Sequence, residues 1–299
     1  MLKFLYLISL NESTIFFVKI INKIIALIAN IVMPLIYKLF YKTIGTNDNN
    51  DNNIIVSLTS FPDRINTIWI TIESLLRQTH KPQKILLWLA KKQFPEEEKS
   101  LPNNLLNLKK RGLTIKFCED LKSYKKFFYT AKLYNDKIII TADDDVIYPN
   151  DWIEKLVHTY TNNQDCICCY RAHQIKLDNN FKPLKYKEWN LLSNKIKGPS
   201  HLLLATGVGG ILYPPSFFSS ETLDIDLIEK LCPLTDDIWL KVIELKKNIK
   251  VLKVDYTCKQ WFKINSSQKN ALYKKNINNN INDKALNNLL KYYNITIHG

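Results

Sequence analysis

The sequence predicts an α/β fold: a mostly parallel sheet flanked by helices, preceded by an apolar N-terminal segment that forms a helix. Three observations carry this. From Ile54 onward, short apolar runs alternate with stretches of helical periodicity. Immediately before Ile54 lies Thr46–Asn53, built only of Thr, Asn and Asp, which has nothing to bury and reads as a tether. Before the tether, residues 14–44 are strongly apolar with helical spacing of their few polar positions.

In the N-terminal segment Lys19, Asn22, Lys23, Ala26 and Asn30 fall on one helical stripe, and Phe16, Phe17, Ile20, Ile21, Ile24, Ile25, Leu27, Ile28, Ile31 and Val32 fill the rest. Pro34 is expected to kink or end the helix. Uncharged spans of about 20 residues, which a crossing helix needs, are absent. The pattern suits a helix in a bilayer interface with Lys38 and Lys42 near headgroups, the alternatives being a signal peptide or a helix packed on the domain. Glu12 and Lys19 weaken the signal-peptide reading.

After the tether, Ile54–Leu58 is the first strand, followed by the loop Thr59–Arg64. Ile65, Ile68, Trp69, Ile72, Leu75 and Leu76 mark an amphipathic helix. Lys84–Ala90 and Leu113–Cys118 are the second and third strands, Ser123–Tyr134 a helix, and Lys137–Ala142 a fully buried fourth strand. Asp151–Tyr160 is helical and Cys166–Ala172 another strand. This rhythm argues for parallel strands with right-handed crossovers. Beyond residue 175 the pattern loosens, with a helix at Thr235–Lys247, a strand at Ile249–Val254 and a short helix after the Asn-rich stretch Asn276–Asn288. The domain plan is 1–45 membrane-associating, 46–53 tether and 54–299 catalytic, the last divided into 54–175 for the nucleotide-sugar, 176–275 for the acceptor and a basic tail, 276–299.

The 299 residues are 46% apolar, which excludes a wholly disordered chain, and seven Gly exclude Gly-rich low-complexity material. The formal net charge is +14, concentrated at the ends: residues 241–299 hold 12 Lys against three acids, and residues 1–45 five Lys against Glu12. That suits an anionic partner or simply solvated faces. Six cysteines are too few for a disulfide scaffold, and Cys166 and Cys169 lie in an apolar run that reads as buried thiols in a reducing setting. Neither a dinucleotide fingerprint nor a P-loop follows any strand.

The strongest chemical signal is Asp143-Asp144-Asp145 after the fourth strand. Three adjacent carboxylates repel, and a divalent cation is the natural compensation. Strand alternation would put Asp143 and Asp145 on one side and Asp144 on the other, outside the carboxyl end of the sheet where α/β folds bind ligands. The plain alternative is an acidic turn capping the helix near Asp151. A second pair, Asp236-Asp237, opens a helix with Thr235 as candidate N-cap, either serving the helix dipole or supplying a carboxylate base. Gly207–Gly210 permits a tight turn or close approach to a ligand. Trp189 and Trp261 are core residues or sugar platforms; His173 and His201 read as structural.

These motifs together resemble the GT-A glycosyltransferases, more closely the bacterial family 2-like enzymes of surface-polysaccharide and lipopolysaccharide assembly. The likeness spans residues 54–275: the strand IIVSLTSFPDR, the helix end SLLRQTHKP, the DXD-type TADDDVIYP, the loop ATGVGGILYPP and the helix start TDDIWLKV. The resemblance implies a Rossmann-like nucleotide-diphospho-sugar transferase fold. It implies Mn²⁺ or Mg²⁺ held by Asp145 and Asp143, and a donor nucleotide-sugar contacted by Thr59, Ser60, Arg64, Asp143, Asp144, Gly209 and Gly210. Asp237, or else Asp236, would be the base of an inverting reaction. The acceptor would be a glycan or lipid-linked hydroxyl, the setting the cytoplasmic face of a bacterial inner membrane, and no nucleic acid is expected.

Two other readings compete. A haloacid-dehalogenase-like phosphatase also uses strand-end carboxylates, but its D-x-D-x-[TV] sits on an early strand, and here Ile147 follows Asp145-Val146. A basic membrane- or nucleic-acid-binding protein accounts for the charge but not for three clustered Asp.

Overall fold

The computed structural model describes residues 1–8, 16–40, 43–49, 53–193, 196–255, 261–264 and 280–298. Expectations placed on Glu12, Lys42, residues 50–52, Cys258 and residues 276–279 lie outside the described residues. The chain forms two compact units, interleaved along the sequence: Met1–Asp120, Asp143–Lys155 and Tyr256–Asn270 make the first, and Leu121–Ala142, Leu156–Asp255 and Ala271–Gly299 the second.

The first unit begins with helices α1 (Leu2–Ile8) and α2 (Phe16–Leu39), followed by β1 (Ile54–Thr59), α3 (Ile68–Leu76), β2 (Lys84–Ala90), a single helical turn α4 (Asn103–Leu106) and β3 (Leu113–Cys118). β1 pairs with β2 and β2 with β3, both parallel, with Ile55 opposite Lys84 and Ile85 opposite Leu113. β2 is buried along six of its seven residues, as its unbroken apolar run requires of a central parallel strand. Pro34 sits inside α2 and does not end it. The polar stripe expected on this helix is split: Asn22 is buried and the Asn30 amide donates to the Lys263 carbonyl at 2.9 Å, while Lys19 and Lys23 are exposed. The face turned to the unit runs Asn22, Ile25, Ala29, Met33, Tyr37, all buried, at the three- and four-residue spacing of one helical side.

The second unit contains α5 (Lys125–Leu133), β4 (Ile138–Thr141), β5 (Cys166–Cys169), β6 (Ala172–Gln174), β7 (Leu203–Ala205), β8 (Ile211–Tyr213), α7 (Ile225–Leu231), α8 (Asp236–Lys246), β9 (Lys250–Lys253) and α9 (Ile281–Tyr293); α6 (Trp152–Thr161) begins in the first unit and ends in the second. β8 is antiparallel to both β4 and β5, and β5 is parallel to β9. Three of these five pairings are parallel, so the fold is mixed α/β and mostly parallel, with seven strands in the main sheet. The run expected as one strand over Cys166–Ala172 breaks after Cys169, and β6 pairs instead with β7 in a separate two-stranded ladder. Trp239, Phe127, Tyr124, Phe217 and Leu289 fill the core of this unit. Cys166, Cys168 and Cys169 are free thiols buried in it, and burial pushes each thiol up. Fully buried Lys241 ties α8 to β7: its ammonium pairs with Glu244 and donates to the His201 and Leu203 carbonyls at 2.6 and 2.9 Å. Burial pulls this lysine down and pushes Glu244 up to about 7, against the pull of their mutual attraction.

Candidate functional site

β4 stops at Thr141, so the acidic triplet lies in the turn that follows and not in the strand. The expected alternation therefore fails: Asp144 and Asp145 both meet one guanidinium. Arg64 pairs through Nη1 with Asp144 and through Nη2 with Asp145 Oδ2 at 3.3 Å, and the Ser60 hydroxyl donates to Asp144 Oδ2 at 2.6 Å. Ser60 follows β1 directly, and Arg64 ends the short turn Pro62–Arg64, its guanidinium over the Phe61 ring at 5.1 Å. Thr59 spends its hydroxyl on the Trp88 carbonyl of β2 at 2.8 Å. Ser60 and Arg64 are thus brought to the acids, and Thr59 to the adjacent strand.

A row on α3 and its C-terminal extension fixes the backbone of this turn. The Thr71 hydroxyl donates to the Asp144 carbonyl at 3.1 Å. Ser74 Oγ accepts the Tyr148 amide at 3.0 Å. The Gln78 side chain donates to the Pro149 carbonyl at 2.7 Å and accepts the Ile153 amide at 3.0 Å. Residues 71, 74 and 78 share one helical face, so one rigid element sets the path of residues 144–153. The Tyr148 hydroxyl accepts the Asp143 amide at 2.8 Å. On the other side the turn is zipped to residues 262–264: Ile264 donates to the Asp145 carbonyl at 2.8 Å and Ile147 to the Phe262 carbonyl at 3.0 Å. Tyr6 of α1 completes the clamp, its hydroxyl donating to the Ile147 carbonyl at 2.6 Å and accepting the Phe262 amide at 3.1 Å. None of Thr71, Ser74, Gln78, Tyr148 and Tyr6 was marked by sequence reasoning; the legible signal was the polar row inside an otherwise apolar helix.

The triplet does not cap α6. Asp151 directly precedes that helix and pairs with Lys155 at 2.9 Å. Asp144 is buried, and burial raises its carboxyl to about 6, the opposing pull of Arg64 and Ser60 notwithstanding. The same burial works against the Arg64 cation, yet Asp144 and Asp145 more than offset it and hold the guanidinium above its ordinary range. Arg64 thus answers two of the three carboxylates directly, Asp144 and Asp145. Among the described residues no three His, Cys, Asp or Glu side chains converge as a complete metal cage. A hard cation held by one or two carboxylates and completed by substrate phosphates, as Mg²⁺ sites commonly are, needs no such cage; Asp145 and Asp143 could hold it, Asp144 being bonded to Ser60 and Arg64 and Asp145 sharing that guanidinium.

The second acidic pair lies in the second unit. Asp236 is tied to the start of α5: Ser123 Oγ donates to Oδ1 at 2.8 Å and Lys126 pairs with Oδ2 at 3.2 Å. Asp237 is half-buried and accepts the Gly207 amide at 3.4 Å. Thr235 occupies the N-cap position of α8 without a side-chain cap; its hydroxyl lies 3.1 Å from Cys232 Sγ instead. In the glycine loop Gly209 and Gly210 have φ of 91° and 97°, and Gly210 donates to the Gly207 carbonyl at 3.0 Å. Both occupy the left-handed region that only glycine enters readily. Burial, followed by the Asp237 charge, raises Tyr186 and Tyr213 in this unit. Trp189 is a core residue, its indole donating to the Leu184 carbonyl at 2.8 Å with its ring against Tyr186 at 4.9 Å. Trp261 is half-buried beside Tyr148 and Tyr6. His173 is buried, accepts the Leu192 amide at 2.9 Å and is lowered to about 4 by burial, as a structural imidazole is.

No protein-family profile and no curated protein matches the sequence. Among solved structures, the chain is similar to 4-diphosphocytidyl-2C-methyl-D-erythritol synthase from Anaerococcus prevotii, at 11% identity and a TM-score of 0.45, over 69% of this chain and 91% of that one. A cytidylyltransferase from Leptospira borgpetersenii is similar at 12% identity and a TM-score of 0.41, over 71% and 79%. Likenesses this distant assign nothing to the chain, whose chemistry rests on its own residues.

Proposed function

We propose that the chain is a metal-dependent glycosyltransferase of GT-A type. It would move a sugar from a nucleotide-diphosphate donor to a hydroxyl of a glycan or lipid-linked acceptor in bacterial surface-polysaccharide assembly, at the cytoplasmic face of the membrane. The observation that carries this reading is the buried constellation in which Ser60 and Arg64, from the loop after β1, meet Asp144 and Asp145 some 80 residues later. A structural turn has no need of three adjacent carboxylates, two of them held by a serine and an arginine.

In this reading Asp145 and Asp143 hold Mn²⁺ or Mg²⁺, and the ion, when bound, neutralises charge on the departing nucleotide diphosphate. Asp144 orients Arg64 and Ser60 toward the nucleotide. Thr59 buttresses that pocket through β2 and is not itself a direct ligand. Gly209 and Gly210 let backbone approach the donor sugar. Of the two acids opening α8, Asp237 is the better base: Asp236 is engaged by Ser123 and Lys126, whereas Asp237 sits at the glycine loop. It accepts the proton of the attacking acceptor hydroxyl, which gives inversion at the anomeric carbon.

The test is thermal shift of wild type and Asp145→Asn with UDP, GDP and CMP, with and without Mn²⁺. Stabilisation by one nucleotide, dependent on Mn²⁺ and lost in the variant, is expected. A folded protein that responds to no nucleotide overturns the reading; release of phosphate from simple phosphomonoesters would replace it with the phosphatase.

A further inference from the structure

Among the described residues, the outward side of the N-terminal helices is the one large apolar surface that the transferase chemistry does not use. On α2 the residues Phe17, Ile20, Ile24, Leu27, Ile28, Ile31, Leu35 and Leu39 are exposed, from 37% at Ile20 to 74% at Leu39. Phe4 and Ile8 extend the patch onto α1. Lys19, Lys23 and Lys38 are exposed along the same helix, and no acid accompanies them among its residues. A soluble monomer rarely shows so long an apolar row, and its basic fringe matches an anionic headgroup layer.

The opposite side of α2 is engaged along nearly its whole length. Asn30 donates to the Lys263 carbonyl, Arg77 donates to the Phe40 carbonyl at 2.6 Å and stacks on the Tyr37 ring at 4.9 Å, and the Lys38 ammonium lies 5.7 Å from the Trp69 ring. A helix crossing a bilayer presents its whole circumference to lipid or to other apolar helices. Here crossing would draw Arg77, Lys263 and their polar surroundings into hydrocarbon, or strip five turns of helix from the unit that buries them.

We infer that α2 lies flat in the headgroup region of an anionic bilayer as a monotopic anchor, its Ile24–Ile31 row inserted and its Asn22–Tyr37 row kept on the protein. The inference deepens the membrane setting proposed above and rests on it. Because Asn30 and Tyr6 grip the segment that zips the acidic turn, the anchored surface and the turn belong to one rigid body within the first unit.

Two measurements on the full chain test this. Co-sedimentation with vesicles rich in phosphatidylglycerol, against phosphatidylcholine alone, is expected to show binding to the anionic vesicles. Binding should fall about tenfold or more in Ile24→Glu/Ile31→Glu, as loss of two inserted aliphatic side chains predicts, with thermal stability unchanged. In vesicle-bound protein, a cysteine replacing Lys19 at the start of α2 and one replacing Lys109 are expected to react with the same impermeant maleimide from the same side. Failure to bind any vesicle overturns the membrane setting altogether. Binding with the residue-19 cysteine protected across the bilayer overturns only the flat orientation. A wild-type dimer that the double variant dissociates, with no vesicle binding, assigns the face to a second copy of the chain instead.

Discussion

Asp143–Asp145 and Asp236–Asp237 are both runs of adjacent carboxylates, and the chain compensates them by different means. The triplet sits in a turn whose backbone is fixed by Thr71, Ser74 and Gln78, and Arg64 bridges two of its three acids. The pair sits at a helix start, where the dipole favours acids, and its first member has a lysine of its own. The triplet's cation comes from a loop and reaches two acids, whereas the pair's comes from a neighbouring helix and reaches one. Adjacent acids therefore differ in how the fold holds them: the triplet lies in a turn fixed from α3, and the pair rests on the start of its own helix.

The comparison breaks most sharply at Arg64. Arg64→Ala leaves Asp144 buried without its cation, and loss of one partner of a buried pair costs about 3–5 kcal/mol. Urea denaturation should show that loss, and Lys126→Ala, whose ammonium serves one acid where Arg64 serves two, should cost only about 1–3 kcal/mol. Equal costs would erase the distinction between the clusters. Within the pair, Asp237→Asn should lower turnover by about 10²–10⁴ while leaving nucleotide-induced stabilisation intact. Asp236→Asn should instead lower the unfolding temperature; the reverse pattern would exchange the two roles.

A gentler effect follows from Asp144. Its carboxyl titrates at about 6 in the folded chain and near the ordinary value of about 4 when unfolded, so the native state binds the proton more tightly. Stability from this group is greatest below about pH 4 and is lost as pH rises through about 6. Urea midpoints across that window should decline for wild type relative to Asp144→Asn. The smallest expected change is Thr235→Ala: with no side-chain cap to lose, it should cost well under the ~1 kcal/mol of an ordinary N-cap.

Much of the first unit was legible because its strands are continuous apolar runs. Lys84–Ala90 and Leu113–Cys118 form as read, since an unbroken KILLWLA has no stable alternative to a doubly covered strand. β6, β7 and β8, three residues each, escaped because so short a segment carries no period. At the site, residue types were readable and their geometry was not. Asp143–Asp145 announced themselves, but strand alternation misplaced them because β4 ends two residues before the triplet begins. That Asp144 and Asp145 share Arg64 depends on a turn whose shape is set from α3, where Thr71 and Ser74 look like ordinary helix polar residues until their partners are seen. Trp189 illustrates the converse: a residue type common at sugar sites is here packed into the core.

The zipper between residues 145–147 and 262–264, closed by Tyr6, spans nearly the full chain, with Tyr6 lying 141 positions before Ile147 and 256 before Phe262. Such pairings carry a high loop-closure cost and form late. During synthesis the acidic turn emerges well before its partner segment, and until residue 264 leaves the ribosome the Asp145 carbonyl and the Ile147 amide have only water to bond. The acidic turn is therefore framed early by α3 and locked only when a far later segment arrives.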